Sequence, residues 1–281
     1  MKNRFLTALM ATSLLLVGCA EKKSLPSNHI FVSIAPLKAI VEGIVGDDFT
    51  VSVLVPQGAS PETFELTPKQ LREIKNAKFV FSVGLLDFEK NLIKRISQKG
   101  EVVELHKGIE LINGCCCSHA HHAHGIDPHI WCSPKSLGTM AENAYRAIST
   151  AMPDSLHYIE NYNKLCVKIL ELDEEVAEKC SASTKSSFLI YHPALTYLAR
   201  DYNLKQVAIE NEGKEPSARR IGEIIEGARK DGIKAILYQS EFPASSVEII
   251  CQDIGAQAVE INPLSEDIFA NIRTITTLIT E

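Results

Sequence analysis

Between positions 30 and 105, short apolar runs alternate with stretches whose apolar residues recur every three or four positions. The runs Ile30–Ile34, Val51–Val55, Phe79–Val83 and Val102–Leu105 are rich in β-branched and aromatic side chains and predict strands. Pro68–Ala77 and Phe88–Ile96 carry the helical period instead. Nearly continuous apolar strands separated by helices imply βαβ units and a parallel sheet covered on both faces. From Ser133 to about Lys179 the strand pattern stops, and two helical stretches meet at Met152-Pro153-Asp154, with Pro153 expected in the first turn of the second. That second helix, of about 25 residues, would measure about 37 Å. Strand runs resume at Phe188–Tyr191, Val207–Glu210, Ala235–Tyr238 and Ala258–Ile261. The predicted fold is α/β: two lobes, each a mostly parallel four-stranded sheet flanked by helices, joined by a long spine helix. The expected boundaries are 29–153 for the first lobe, 154–181 for the linking helix and 182–281 for the second lobe.

The amino terminus reads differently. Lys2 and Arg4 precede Phe5–Val17, an apolar run too short to span a bilayer comfortably but suited to the core of an export signal. It ends in Leu16-Val17-Gly18-Cys19, which resembles a bacterial lipoprotein cleavage box, with Cys19 as the lipidated first residue after removal of residues 1–18. The plainer reading is a free cysteine after an ordinary leader. Residues 19–28 would then form a tether. The body would lie outside the cytoplasm, held to a bacterial membrane by lipid alone, in a periplasm or on a cell surface. Without the leader, 27 basic side chains face 35 acidic ones, a net charge of −8 with no basic patch, which argues against nucleic acid. Export also permits disulfides, and a pair among Cys166, Cys180 and Cys251 is open.

The chemistry concentrates in "NGCCCSHAHHAHGIDPHIWCSP", residues 113–134, with four cysteines and five histidines. Adjacent cysteines cannot all face one ion from a regular backbone, and the spacing fits no structural zinc module. In open parallel sheets, ligands bind beyond the carboxyl ends of the strands. Four residues fall there: Glu62 after the second strand run, His129 after the fourth, His192 after the fifth and Glu241 after the seventh. Each also has an ordinary structural reading. Glu62 suits a helix entry, His129 a place in the histidine-rich run, His192 a helix cap, and Glu241 the positive end of the next helix. Glu210–Pro216 is acidic and turn-rich, a solvated rim or a transporter contact. No phosphate loop, nucleophile elbow or HExxH motif appears.

The segments "GASPETFELTP", "DPHIWCSP", "YHPALTYLARDYNL" and "EGKEPSARRI" resemble successive signatures of the ZnuA/TroA-like metal-binding family, from about Ile30 to the C-terminus. These are the solute-binding proteins of zinc and manganese ABC importers. The resemblance implies a non-enzymatic function, with metal captured in the interlobe cleft by a monomer and passed to a transporter permease. It matches His129 and His192 to ligand histidines and Glu241 to a carboxylate that ligates in many members. The first ligand is usually a histidine, whereas this chain has Glu62, giving an N₂O₂ set. Carboxylates shift preference toward manganese, while the Cys/His loop favours zinc. Zinc is placed first and manganese second. The loop, Cys115, Cys116, Cys117, His119, His121, His122 and His124, is expected to act as an auxiliary metal-collecting segment, although a loop histidine in place of Glu62 in the primary site stays open. Competing functions are a secreted zinc hydrolase, which needs an open coordination position holding water, and a metal-storage or cell-adhesion lipoprotein on the same fold.

Overall fold

A computed structural model describes residues 28–96, 102–114, 125–210 and 216–281. The leader, Cys19 and the loop residues Cys115, Cys116, Cys117, His119, His121, His122 and His124 lie outside the described residues.

Two four-stranded parallel sheets form the architecture. The first contains β1 (His29–Val32), β2 (Thr50–Val53), β3 (Phe79–Ser82) and β4 (Val102–Glu104), in the order β2-β1-β3-β4. A short antiparallel ribbon, β5 (Asn113–Gly114) with β6 (Gly125–Ile126), brackets the metal-ligand-rich loop. The second sheet contains β7 (Ser187–Ile190), β8 (Lys205–Ala208), β9 (Ala235–Gln239) and β10 (Gln257–Ile261), in the order β10-β9-β7-β8. All eight predicted strand runs are therefore strands, with ends displaced by one or two residues. The β5–β6 ribbon was missed, because two-residue strands leave no periodicity to read.

Alternation along the central strands explains the two-sided burial. Ile30 and Val32 of β1 enter the main core, while Phe31 joins a separate cluster with Leu54, Val80 and Leu92 on the opposite face. In β7, Phe188 and Ile190 belong to the main core and Leu189 packs with Ile224 and Ile236 on the far side. Successive strand side chains point to opposite faces, so both layers of helices find an apolar surface.

The helices are α1 (Pro36–Val45), α2 (Pro68–Ile74), α3 (Asp87–Ile96), α4 (Pro134–Ala151), α5 (Leu156–Ala182), α6 (Thr196–Asp201), α7 (Ala218–Lys230), α8 (Ser245–Ile254) and α9 (Ile268–Thr280). The spine is α5. Its buried side, Tyr158, Leu165, Ile169, Leu172 and Val176, packs against α1 and α4 of the first lobe and α9 near the C-terminus. One continuous apolar core therefore runs from Ile30 to Ile279 through both sheets. Pro153 lies in the connecting turn, not in the first turn of α5 as predicted: α4 stops at Ala151, and α5 begins at Leu156 after Ser155. Cys132, Cys166, Cys180 and Cys251 are free. Cys166 and Cys180 are fourteen residues apart on one helix, about 21 Å, and Cys251 sits in the second lobe's own cluster. The Cys166–Cys180 separation forbids a disulfide between those two.

Several hydrogen bonds fasten the lobes along one side of the cleft. Trp131 Nε1 donates to the Pro263 carbonyl at 2.9 Å. Tyr197 Oη donates to the Asp127 carbonyl at 2.8 Å and accepts from the Ile112 amide at 3.2 Å. Ser133 Oγ donates to Asp201, and Arg200 donates to the Glu110 carbonyl at 2.7 Å. Because Leu172 is fully buried where α5 meets the core, Leu172→Ala should lower stability by about 2–5 kcal/mol. Denaturant titration of the two proteins would check this, and an unchanged midpoint would contradict the spine role.

Candidate metal centre

Glu62, His129 and His192 reach one point from three different loops. Glu62 belongs to the long β2–α2 connection. Its far end is held by α2's capping box: Thr67 Oγ1 accepts from the Gln70 amide at 3.2 Å, and the Gln70 side chain accepts from the Thr67 amide at 3.0 Å. Gln70 Nε2 also donates to the Leu54 carbonyl at 2.8 Å, tying the helix start back to the end of β2. The loop between these anchors carries Glu62 into the cleft.

His129 follows the β5–β6 ribbon and opens a single helical turn, Ile130–Cys132. Asp127 Oδ1 accepts from the His129 backbone amide at 2.9 Å and from its Nδ1–H at 2.8 Å. One buried carboxylate therefore fixes both backbone and ring. Burial alone would raise the Asp127 carboxyl, but the His129 ring and amide hold it below the usual carboxylate range.

His192 lies two residues beyond β7. Its Nδ1–H donates to Glu210 Oε2 at 3.0 Å, and Glu210 is itself buried just past β8. Gln239, at the end of β9, donates from Nε2 to the His192 carbonyl at 2.7 Å and accepts from the His192 amide at 3.4 Å. Phe242 stacks on the His192 ring at 5.4 Å between centroids, and Trp131 lies 5.1 Å from the His129 ring.

With both Nδ1 atoms occupied, each imidazole turns its Nε2 inward. The candidate donor atoms of Glu62, His129 and His192 lie within 4.8 Å of one another. Glu62 Oε1 is 3.1 Å from His192 Nε2 and 4.0 Å from His129 Nε2. It is nevertheless a buried oxygen without a properly aligned hydrogen-bond partner, which normally carries a penalty. Two imidazole nitrogens and an unsatisfied carboxylate oxygen around one point suit a borderline divalent cation. The enclosing cavity measures about 40 Å³ and is walled by Pro61, Trp131, Phe242 and Leu264. Its size suits an ion.

The four sequence-predicted positions therefore divide. Glu62, His129 and His192 converge, whereas Glu241 lines the same cavity but is not one of the three clustered donor residues. Sequence reading missed the orienting roles of Asp127 and Glu210. The acidic, turn-rich surroundings of Glu210 suggest a solvated rim or a transporter contact; Glu210 is instead buried because the chain stays in register beside β7 until the Glu210 amide donates to the Tyr191 carbonyl at 2.9 Å. Asp127 had a readable signal, an acidic residue two places before a histidine. Glu210 had none, lying eighteen residues from His192.

Burial works against a charge on His192, but the adjoining Glu210 and Glu62 carboxylates outweigh it and push the imidazole up to about 10. A metal ion must displace that proton from Nε2. Zinc affinity should therefore rise about tenfold per pH unit between about pH 6 and about pH 8, for one proton released per ion. Stability of the metal-free protein runs the other way: the His192 contribution is complete below its ordinary value of 6.5 and is lost as pH rises through about 10. Competitive titration and thermal melting at stepped pH would check both slopes. An affinity independent of pH would mean that His192 is neutral before metal arrives. Separately, Glu210→Ala should weaken metal binding by about 10–100-fold by freeing the His192 ring, measured by competition with a chromogenic chelator. Unchanged affinity would make Glu210 a bystander.

The sequence model of the family described as "ZnuA: Zinc-uptake complex component A periplasmic" matches residues 30–280. The zinc-binding lipoprotein AdcA of Streptococcus pneumoniae is 29% identical over 278 residues, covering 94% of this chain and 56% of that protein. The chain thus spans little more than half the length of this relative. The high-affinity zinc uptake system protein ZnuA of Bacillus subtilis is 27% identical over 260 residues, covering 88% of this chain and 81% of that protein. A crystal structure of ZnuA superposes with a TM-score of 0.82 at 29% identity, over 91% of this chain and 98% of that one.

Proposed function

We propose that this chain, which belongs to the ZnuA family of zinc-uptake complex components, captures zinc in its interlobe cavity and delivers it to the permease of an ABC importer. The family is one of solute-binding transport proteins, not of enzymes. The observation that carries the reading is the convergence of Glu62, His129 and His192 on one buried point, with both imidazoles aimed by carboxylates. We assign these three as primary ligands. Glu241, on the same wall, is proposed to complete a four-coordinate set. Two nitrogens support zinc, and manganese is the second candidate because half of the set is oxygen.

The remaining parts are read consistently with transport. Lipidation at Cys19 would keep the body beside its permease. Among the described residues no helix is long and apolar enough to cross a membrane. The units are taken as 29–153 and 182–281 around the linking helix at 154–181. The Cys115–His124 segment is proposed as an auxiliary metal-collecting site that binds more weakly than the primary one. Its thiols donate as thiolates, so their share requires reducing conditions.

Deletion of Cys115–Gly125 should leave one tight site and remove only weaker additional binding, whereas His192→Ala should abolish the tight site with the fold intact. Isothermal titration with zinc, and with manganese in competition, would read both. Loss of tight binding in the deletion variant, with circular dichroism unchanged, would put a loop residue in the primary site in place of Glu62.

A further inference from the structure

Apart from the metal centre, the spine helix carries an unexplained pattern. Six large hydrophobic residues are conspicuously exposed among the described residues, and four of them lie on α5: Leu156 at 76%, Ile159 at 45%, Val167 at 54% and Leu170 at 59%. At 100° per residue these four and Asn163 fall within about 80° of the helix circumference, away from the buried side formed by Tyr158, Leu165, Ile169, Leu172 and Val176. Isolated surface apolar residues are ordinary, but a stripe about 21 Å long on one helix is a contact surface.

The spacing of the stripe identifies its occupant. Counting outward from Asn163, Ile159 and Val167 stand four residues away on either side, and Leu156 and Leu170 stand seven away. The stripe is therefore palindromic. A second copy of α5 laid antiparallel, with a two-fold axis at Asn163, would place Leu156 against the partner's Leu170 and Ile159 against the partner's Val167. The two Asn163 amides would meet at the axis, where each can donate to the other's carbonyl oxygen. The same symmetry sets like flanks of the helix side by side. Exposed Glu160 then comes within about 3 Å along the axis of the partner's exposed Lys164, an opposite-charge pair formed twice.

We propose that α5 is the self-association surface of this protein, forming a two-fold antiparallel pair of spine helices about Asn163. Such an interface is isologous, as two-fold symmetry requires. The metal cavity is bounded by the β2–α2, β6–α4, β7–α6, β9–α8 and β10–α9 connections, so α5 contributes no residue to it and pairing leaves the site intact. The contact is small. Four apolar side chains from one helix cover less than the roughly 800 Å² per partner of standard stable interfaces, so the dimer is weak, with a Kd of about 10–100 µM. The monomer expected from the family resemblance is then the dilute form of the same protein.

Sedimentation velocity of the purified metal-loaded protein, from about 1 µM to about 1 mM, tests the proposal. The expected result is a concentration-dependent shift from monomer to dimer. Val167→Glu, which buries a carboxylate against the partner's Ile159, should raise the dissociation constant at least tenfold, to roughly 100 µM or weaker. Glu160→Lys should weaken association, and adding Lys164→Glu should restore it, because the pair is then reversed and intact. Melting temperature and zinc stoichiometry should stay unchanged in all three variants, which separates a lost contact from a lost fold or a lost metal site. A monomer throughout the range overturns the proposal. A dimer that survives Val167→Glu also overturns it, by placing the interface elsewhere.

Discussion

Everything at the metal centre depends on two hydrogen bonds from imidazole Nδ1 to a buried carboxylate. Asp127 takes one and Glu210 the other, at 2.8 Å and 3.0 Å. Each bond fixes a ring plane and leaves Nε2 facing the cavity, where it becomes a lone-pair donor once free of its proton. Without them, a histidine on a loop would rotate about two side-chain torsions, and part of the binding energy would go to ordering it.

The same bonds gather negative charge where it is poorly solvated. Glu62, Asp127 and Glu210 bring three carboxylates into contact with two imidazoles inside a largely apolar wall. Concentrated charge at low dielectric needs a counter-charge. Before metal arrives, a proton on His192 supplies one. A divalent cation supplies more while satisfying the orphaned Glu62 oxygen. The proposed affinity, proton release and preference for a doubly charged ion therefore have a common electrostatic cause.

Rigidity of the frame follows from how the lobes are joined. Their apolar residues form one cluster across α5 rather than two closed cores, and Trp131, Tyr197 and Arg200 bridge the lobes beside the site. Wide swinging would break buried hydrogen bonds and open the common core. Capture and release are therefore better served by local movement of the loops carrying Glu62 and of Glu241-Phe242, which wall the cavity, than by a large hinge. Loss of an ion from such a site needs only small displacements, because a ligand moved by about 1 Å has left a bond of about 2 Å.

The sequence by itself determined the eight principal strands, the long helix and the placement of His129 and His192 just beyond strand ends. These features are written locally: β-branched runs such as Ile30–Ile34, helical spacing through Leu165, Ile169, Leu172 and Val176, and histidines placed directly after strand-like segments. It also singled out Glu62, although nothing local distinguishes a ligand carboxylate from a helix-entry acid. Tertiary structure alone decided which residues meet. It set Glu241 on the cavity wall outside the donor cluster, drew Glu210 from an apparent rim into contact with His192, and left Cys132, Cys166, Cys180 and Cys251 free. The reason is physical: periodicity records which face of a segment is buried, whereas a metal centre depends on distances between segments, set by sheet order and loop closure across many intervening residues.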